Sequence, residues 1–280
     1  MMDREWRNLI EMDQIPARRN ILRETFDPVA ELYDRIRPGY PQELLSDLSE
    51  LAGTGTGCRV LEIGCGTGQL TLPLAEQGCE IVAIDIGREM VAVAARKLSR
   101  YPAVQVIQAT FEDWTLPVQP FAVVVSATAF HWLDPAVRVP KCADALHSGG
   151  VLAVIRTYHI AGGDDSFFMD VQACYERWSH SEGRPFRLPA AHDIPLDSEE
   201  LERSARFGEA IFRRYEWEET YSAHAYCELL QTYSDHSVLH PEARQGLLDC
   251  IADIIDSRYG GKIVKRYLTE LCLGKRLTKV

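Results

Sequence analysis

The sequence predicts a doubly wound α/β fold, a single mostly parallel sheet with helices on both faces. Three observations carry this. From Cys58 to Thr157, short segments rich in Val and Ile alternate with helical stretches, the rhythm that βαβ units with right-handed crossovers impose. The segments are apolar nearly throughout, as strands buried on both faces are. The first of them runs into three alternating glycines and then straight into a helix, the junction at which open α/β sheets bind ligands.

Taken in order, the first 57 residues read as helical and punctuated. Leucines at 44, 45, 48 and 51 mark one helical face over 41–51, preceded by the turn Pro38-Gly39-Tyr40-Pro41. Gly53-Thr54-Gly55-Thr56-Gly57 matches a G-x-G-x-G pattern, but a strand follows it rather than precedes it, so it reads as a loop. Strands are expected at 59–63, 80–84, 104–108, 121–125 and 150–155, with helices at 69–77, 88–99 and 135–147 between them. After Thr157 the rhythm breaks. Residues 167–178 space their apolar side chains helically, whereas 181–198 are irregular. Residues 207–221 alternate as a strand exposed on one face, helices follow at 223–233 and 241–258, and 262–273 is a last strand. The expected organisation is an N-terminal helical segment over the ligand site (1–57), a binding core (58–157), a helical lid inserted over the ligand face (158–206) and a segment that completes a seven-stranded sheet (207–280).

Composition narrows the function classes. Hydrophobic residues at 46% and charged residues at 25% over 280 residues exclude disordered and fibrous chains. Forty-one acids against 30 bases give a net charge of −11, which repels a phosphate backbone and argues against nucleic acid. The longest uncharged run, 115–133, contains Pro117, Pro120, Gln119 and His131 and cannot span a membrane. No apolar export segment lies in residues 1–30, and the eight cysteines include no C-x-x-C pair. They are expected as free thiols of a cytoplasmic protein, monomer or homodimer, acting on something small.

The strongest local signal is Val60-Leu61-Glu62-Ile63-Gly64-Cys65-Gly66-Thr67-Gly68-Gln69-Leu70-Thr71. Glycines let the backbone turn tightly there and let a ligand approach with no Cβ in the way. The spacing G-x-G-x-G is not the dinucleotide G-x-G-x-x-G, and no phosphate-binding lysine follows, which argues against NAD and nucleoside triphosphates. Asp85 ends the second strand, twenty-one residues after Gly64. A carboxylate at that place can accept two hydrogen bonds from a ribose diol; it can also cap the helix that begins near Arg88.

Residues 61–68 resemble motif I of the class I S-adenosylmethionine-dependent methyltransferases, a Rossmann-like fold. Further blocks fit: Asp85-Ile86 with Met90, Ala109-Thr110-Phe111-Glu112-Asp113, and Ser126-Ala127 through His131-Trp132-Leu133. With Phe26, Ala30, Tyr33-Asp34 and Arg37-Pro38-Gly39-Tyr40-Pro41, they are similar to the small-molecule branch that includes trans-aconitate and ubiquinone-biosynthesis-type enzymes. The resemblance covers about residues 25–157 and extends more loosely through Tyr221, Ser234 and Gly260-Gly261. It implies the cofactor S-adenosylmethionine and the product S-adenosylhomocysteine. Gly64, Cys65, Gly66, Gly68 and Gln69 would form the loop around the methionine end, with Glu62 orienting it or meeting the amino group. Asp85 would hold the ribose, and Ile86 and Met90 would pack on adenine. Thr110 and Phe111 stand where the family usually has Asp-Ala, so adenine readout would fall to the Phe111 amide, with Glu112 beside it. Ser126 and Ala127 would border the sulfonium.

Arg37 offers a bidentate fork for the methionine carboxylate, and Tyr33, four residues earlier, shares its helix face; an ion pair pinning the segment to the surface would explain the same arginine. Methyl transfer is an in-line displacement in which the protein chiefly positions the nucleophile and excludes water. A hydroxyl acceptor needs a base and a carboxylate does not. His131 and Tyr33 are the candidate catalytic residues, with Tyr158 and His159 as further side chains after the fifth strand; packing explains His131 equally. No cluster has metal-ligand spacing. Arg177, Arg184 and Arg187 near Phe167, Phe168 and Trp178 would suit a small acid, or simply a solvated lid. Two classes of function therefore stand: a small-molecule methyltransferase, or a non-catalytic protein that binds S-adenosylmethionine.

Overall fold

The computed structural model describes residues 16–179 and 187–278; residues 1–15 of the expected N-terminal segment, and Arg184, lie outside them. The seven strands are β1 (Arg59–Ile63), β2 (Glu80–Asp85), β3 (Val104–Gln108), β4 (Phe121–Ala127), β5 (Leu146–Gly163), β6 (Ile211–Ser222) and β7 (Lys262–Lys275). They form one sheet in the order β3-β2-β1-β4-β5-β7-β6. β1 to β5 are parallel, and β7 runs antiparallel to both β5 and β6. The winding direction therefore switches between β1 and β4, directly above the glycine turn.

Successive side chains of a strand point to opposite faces, and the sheet uses this to build two aliphatic layers. Val60, Ile81, Val123 and Ile155 face α3 (Gln42–Ala52), α4 (Thr71–Glu76) and α5 (Arg88–Lys97). Leu61, Ile63, Val124 and Val154 face α6 (Arg138–Ala145) and the short α9 (Glu199–Arg203). On α3, Leu44, Leu45 and Leu48 are buried, and the helix stops at Gly53, which takes φ 74° and donates its amide to Ser49 O at 3.1 Å. The Gly53–Gly57 stretch is thus a helix stop and a loop, as its position implied. Ahead of α3, α1 (Pro16–Glu24) and α2 (Ala30–Ile36) lie along the ligand side of the sheet.

The second half departs from expectation in two ways. β5 does not end at residue 155 but continues to Gly163, paired with β7 past Tyr158 and His159 and irregular between His159 and Gly163. The polar, glycine-ended stretch 156–163 reads as a strand end, yet pairing to β7 holds it extended. Tyr158 and His159 are strand residues, not loop residues. β6 and β7 carry a third cluster, shared with α7 (Asp165–Asp170), α8 (Gln172–Ser179), α10 (Ala223–Gln231) and α12 (Pro241–Arg258), with the short α11 (Ser234–Ser237) following α10.

The second correction concerns the cysteines. Cys174 on α8 and Cys250 on α12 are joined in a disulfide, with Cα atoms 5.9 Å apart and a sequence separation of 76. The expectation of free thiols holds for the six others, and the argument that placed the chain in a reducing compartment loses that support. Neither cysteine lies in a recognisable spacing motif; the pair exists because α8 and α12 pack together. Among the described residues no helix is long and apolar enough to cross a membrane.

Candidate cofactor site

The glycine turn is fastened to β2. The amides of Gly64 and Cys65 donate to Ile84 O at 2.8 and 3.1 Å, and Gly66 N donates to Asp85 Oδ2 at 2.8 Å. Gly64, Gly66 and Gly68 take φ of 70°, 54° and 87°, a region that costs an L-residue roughly 1–2 kcal/mol. A Cβ on Gly64 would also run into that of Ala129. The turn is consequently a cradle in which backbone, not side chain, faces the ligand.

Beside it opens a cleft of about 770 Å³, counting the space open to solvent, within the size range of small-ligand sites. Gly64 and Gly66 form one wall, Asp85 and Ile86 the end of β2, and Thr110, Phe111 and Glu112 the turn after β3. Met90, Tyr33 and Ala127 complete the set of expected residues that the structure brings together. Asp85 also accepts from Gly87 N at 2.8 Å through Oδ1. Each oxygen keeps a lone pair for a hydroxyl. Burial pushes its carboxyl up, against the pull of the Gly87 and Gly66 amides.

Glu62 lies behind the turn, fully buried, with Oε2 lacking any partner. Burial, opposed by Thr71 and reinforced by Asp85, pushes its pKa up to about 8. A buried acid with an orphaned oxygen suits a cationic ligand group that would take up its charge.

Several expected residues lie off the cleft. Gly68 packs on Leu98 and Ala94 and sets the approach of α5 to the turn. Gln69 bonds Thr67 at 2.7 Å, and the buried Ser126 donates to Ile63 O at 2.9 Å, tying β4 to β1. The Cys65 thiol is buried and pushed well above its usual pKa, chiefly by burial, so it is inert. Thr110 does line the cleft, but it donates its hydroxyl to Asp113 at 2.8 Å, which removes it as a free donor. Arg37 turns away from the cleft: its Nε and Nη2 donate to Thr232 Oγ1 and O at 2.8 and 2.7 Å. The surface ion pair suggested as an alternative for it does not form among the described residues.

His131 follows β4 in a short 3₁₀ turn, 130–132, its ring 4.5 Å from that of Trp132. It is open to solvent yet surrounded by protein, as a group on a concave rim is. Burial, with Arg138 and Arg156 nearby, lowers its pKa to about 4. Trp132, not His131, lines the cleft.

The structure adds residues that sequence reasoning passed over. Asp27 Oδ1 accepts from Glu89 N and Met90 N at 2.7 and 3.2 Å, so α5 is capped across the cleft by the N-terminal segment rather than by Asp85. Arg23 reaches over from α1 to Glu112 at 3.2 Å. Thr128 sits at φ 52°, rare for a β-branched residue, and is held by Ile155 O and by the Tyr40 hydroxyl at 3.1 Å. Each depends on a tertiary partner and leaves no local signal, although Phe26 and Trp132 already belonged to the blocks quoted above.

Residues 60–150 match the family model for a methyltransferase domain. A Mycobacterium tuberculosis protein described as an uncharacterized methyltransferase is 36% identical over 131 residues, 47% of this chain and 51% of the relative. One from Geobacillus thermodenitrificans is 29% identical over 189 residues, 63% and 79% of the two chains. The chain thus spans about half the length of the first curated relatives it matches. Among solved structures, a protein of Anaeromyxobacter dehalogenans, provisionally described as a type II methyltransferase, superposes with a TM-score of 0.56 at 24% identity. That match covers 87% of this chain and 99% of the other. The Bacillus subtilis protein YcgJ does so at 0.51 and 16%, covering 85% and 100%. These likenesses show the fold. With the domain match over the strands that carry the glycine turn and Asp85, residues 60–150 are similar to a methyltransferase domain.

Proposed function

We propose that this protein transfers the methyl group of S-adenosylmethionine to a small molecule, at a carboxylate or hydroxyl oxygen, by in-line displacement in a closed pocket. The observation that carries the reading is the cradle itself: backbone walls at Gly64 and Gly66, with Asp85 across from them in one cleft. The cofactor's nucleoside fits between Asp85 and the Ile86, Met90 and Phe111 side chains.

The sulfonium supplies the chemistry when bound, since methyl transfer from it is downhill. The chain's own residues bind, orient and exclude water. Phe26, Tyr33 and Trp132 form an edge-to-face aromatic group over the cleft, and helices α7 and α8 with α9 are read as the lid. His131 stands outside the cleft wall and is assigned no proton transfer; a carboxylate acceptor needs none. The charge of −11 favours a small acceptor over nucleic acid.

The test is transfer of an isotope-labelled methyl group from S-adenosylmethionine into metabolite pools, followed by mass spectrometry. One labelled small product is expected. Tight cofactor binding with no transfer to any pool would instead support the non-catalytic binding protein.

A further inference from the structure

A second polar cluster lies beside the cleft, under the third core cluster, and the chemistry above does not use it. Lys265 stands on β7, on the same face as Ile263 and Tyr267, and is only 4% exposed. Its Nζ donates to Tyr233 Oη at 2.8 Å and lies 5.1 Å from the centres of both the Tyr233 and Tyr267 rings. The Arg37 guanidinium is 4.4 Å from the Tyr233 ring centre and 4.9 Å from that of Tyr33, which lines the cofactor cleft. The cluster is therefore continuous with the cofactor site through Tyr33 and Arg37, both half-buried.

Its charge balance is unusual. Among the described residues, no carboxylate lies within ion-pair distance of either Lys265 or Arg37, in a chain with eleven more acids than bases. A buried cation without a counter-charge is costly, and proteins normally pair it. Burial would push the Tyr233 phenol up, but Lys265 and Arg37 outweigh it and hold the group below its usual value. The phenol oxygen thus serves as the acceptor that Lys265 otherwise lacks. Around this cation the walls are aromatic. His159 packs edge-on to Phe168 at 4.4 Å with its Nε2 buried and unpartnered, and Trp217 stacks on Tyr267 at 4.5 Å.

We propose that Lys265 and Tyr233, backed by Arg37, form the anion subsite of the methyl acceptor, and that the acceptor is a small aromatic or planar acid bound through its carboxylate. A single ammonium fits a monoanion, and the aromatic rings around it fit a flat body. This rests on the methyltransferase reading and names its substrate class.

The test titrates matched probes, benzoate, phenylacetate and cinnamate against their primary amides, into the full chain saturated with S-adenosylhomocysteine. The acids should bind about tenfold or more tighter than the amides, the ratio a charge-assisted contact gives. Lys265→Met should bring that ratio to about one while affinity for S-adenosylhomocysteine stays unchanged, which also shows that the variant folds. Tyr233→Phe, which keeps the cation, should retain the preference for acids. Equal binding of acids and amides by the wild type, or an unchanged ratio in Lys265→Met, would overturn the proposal. So would a parallel fall in S-adenosylhomocysteine affinity in Lys265→Met, because the cluster would then serve the cofactor's own carboxylate. Failure of the wild type to bind S-adenosylhomocysteine at all would be a different result, and would remove the methyltransferase reading beneath this one.

Discussion

The two halves of the sheet are built by different rules. In the β1–β4 half the strands are all parallel, the strand residues that build the core are chiefly aliphatic, and the cleft is walled by the glycine turn and the end of β2. In the β5–β7–β6 half the strands are long and antiparallel around β7, the packed helices come from distant sequence, and the core is rich in Tyr, Phe and Trp. The first half is what a cofactor of fixed shape requires. In the reading proposed above, the second, where side chains rather than backbone line the interior, chooses the acceptor.

The comparison can be broken from either side. The largest effect is expected at the disulfide. Cys174→Ser opens a closure of 76 residues and should cost on the order of 4 kcal/mol in the chain-entropy account. Denaturant unfolding would measure it. Because the crosslink joins α8 to α12 only, S-adenosylhomocysteine affinity of the folded variant should not change; a large loss would mean that the halves are coupled. Next, Gly64→Val places a branched side chain at φ 70° against Ala129. It should destabilise the chain by about 3 kcal/mol, strain and overpacking together, and abolish measurable cofactor binding in calorimetry.

Asp85→Ala should weaken cofactor binding by about 2 kcal/mol, some thirtyfold, with little change in melting temperature, since burial already raises the cost of its charge. For Glu62→Gln the effect depends on pH and is absent below about pH 4.5. The folded protein holds the Glu62 proton to about pH 8, whereas a solvent-exposed glutamate releases it near 4.5. The folded state therefore binds more protons between these values. This contribution is fully present below about 4.5 and is lost as pH rises through 8. The Gln variant should match the wild type below about pH 4.5 and outlast it increasingly in thermal melts as pH rises toward 8. A wild type that instead loses stability only on acidification would show that Glu62 is ionised in the fold.

Legibility in the sequence follows the same division. The strand–glycine–helix junction at residues 59–71 and the acid at Asp85 were readable because both signals lie within a few residues of one another. The seven-stranded, mostly parallel sheet followed from the rhythm of short apolar segments. The extension of β5 through His159 was not readable, because pairing with β7 a hundred residues later decides it. The same holds for Asp27 capping α5, Arg23 meeting Glu112, and the turn of Arg37 toward Thr232. In each case a side chain with several possible partners is assigned one by tertiary contact. The Cys174–Cys250 pair is the extreme example, invisible to spacing and settled by helix packing.

The most direct test of the central claim is a calorimetric titration of the full chain with S-adenosylhomocysteine and, separately, with NAD. The G-x-G-x-G cradle and Asp85 predict one saturable S-adenosylhomocysteine site that Asp85→Ala weakens about thirtyfold, and no NAD binding. NAD binding in its place, or no response to S-adenosylhomocysteine from folded protein, would contradict it.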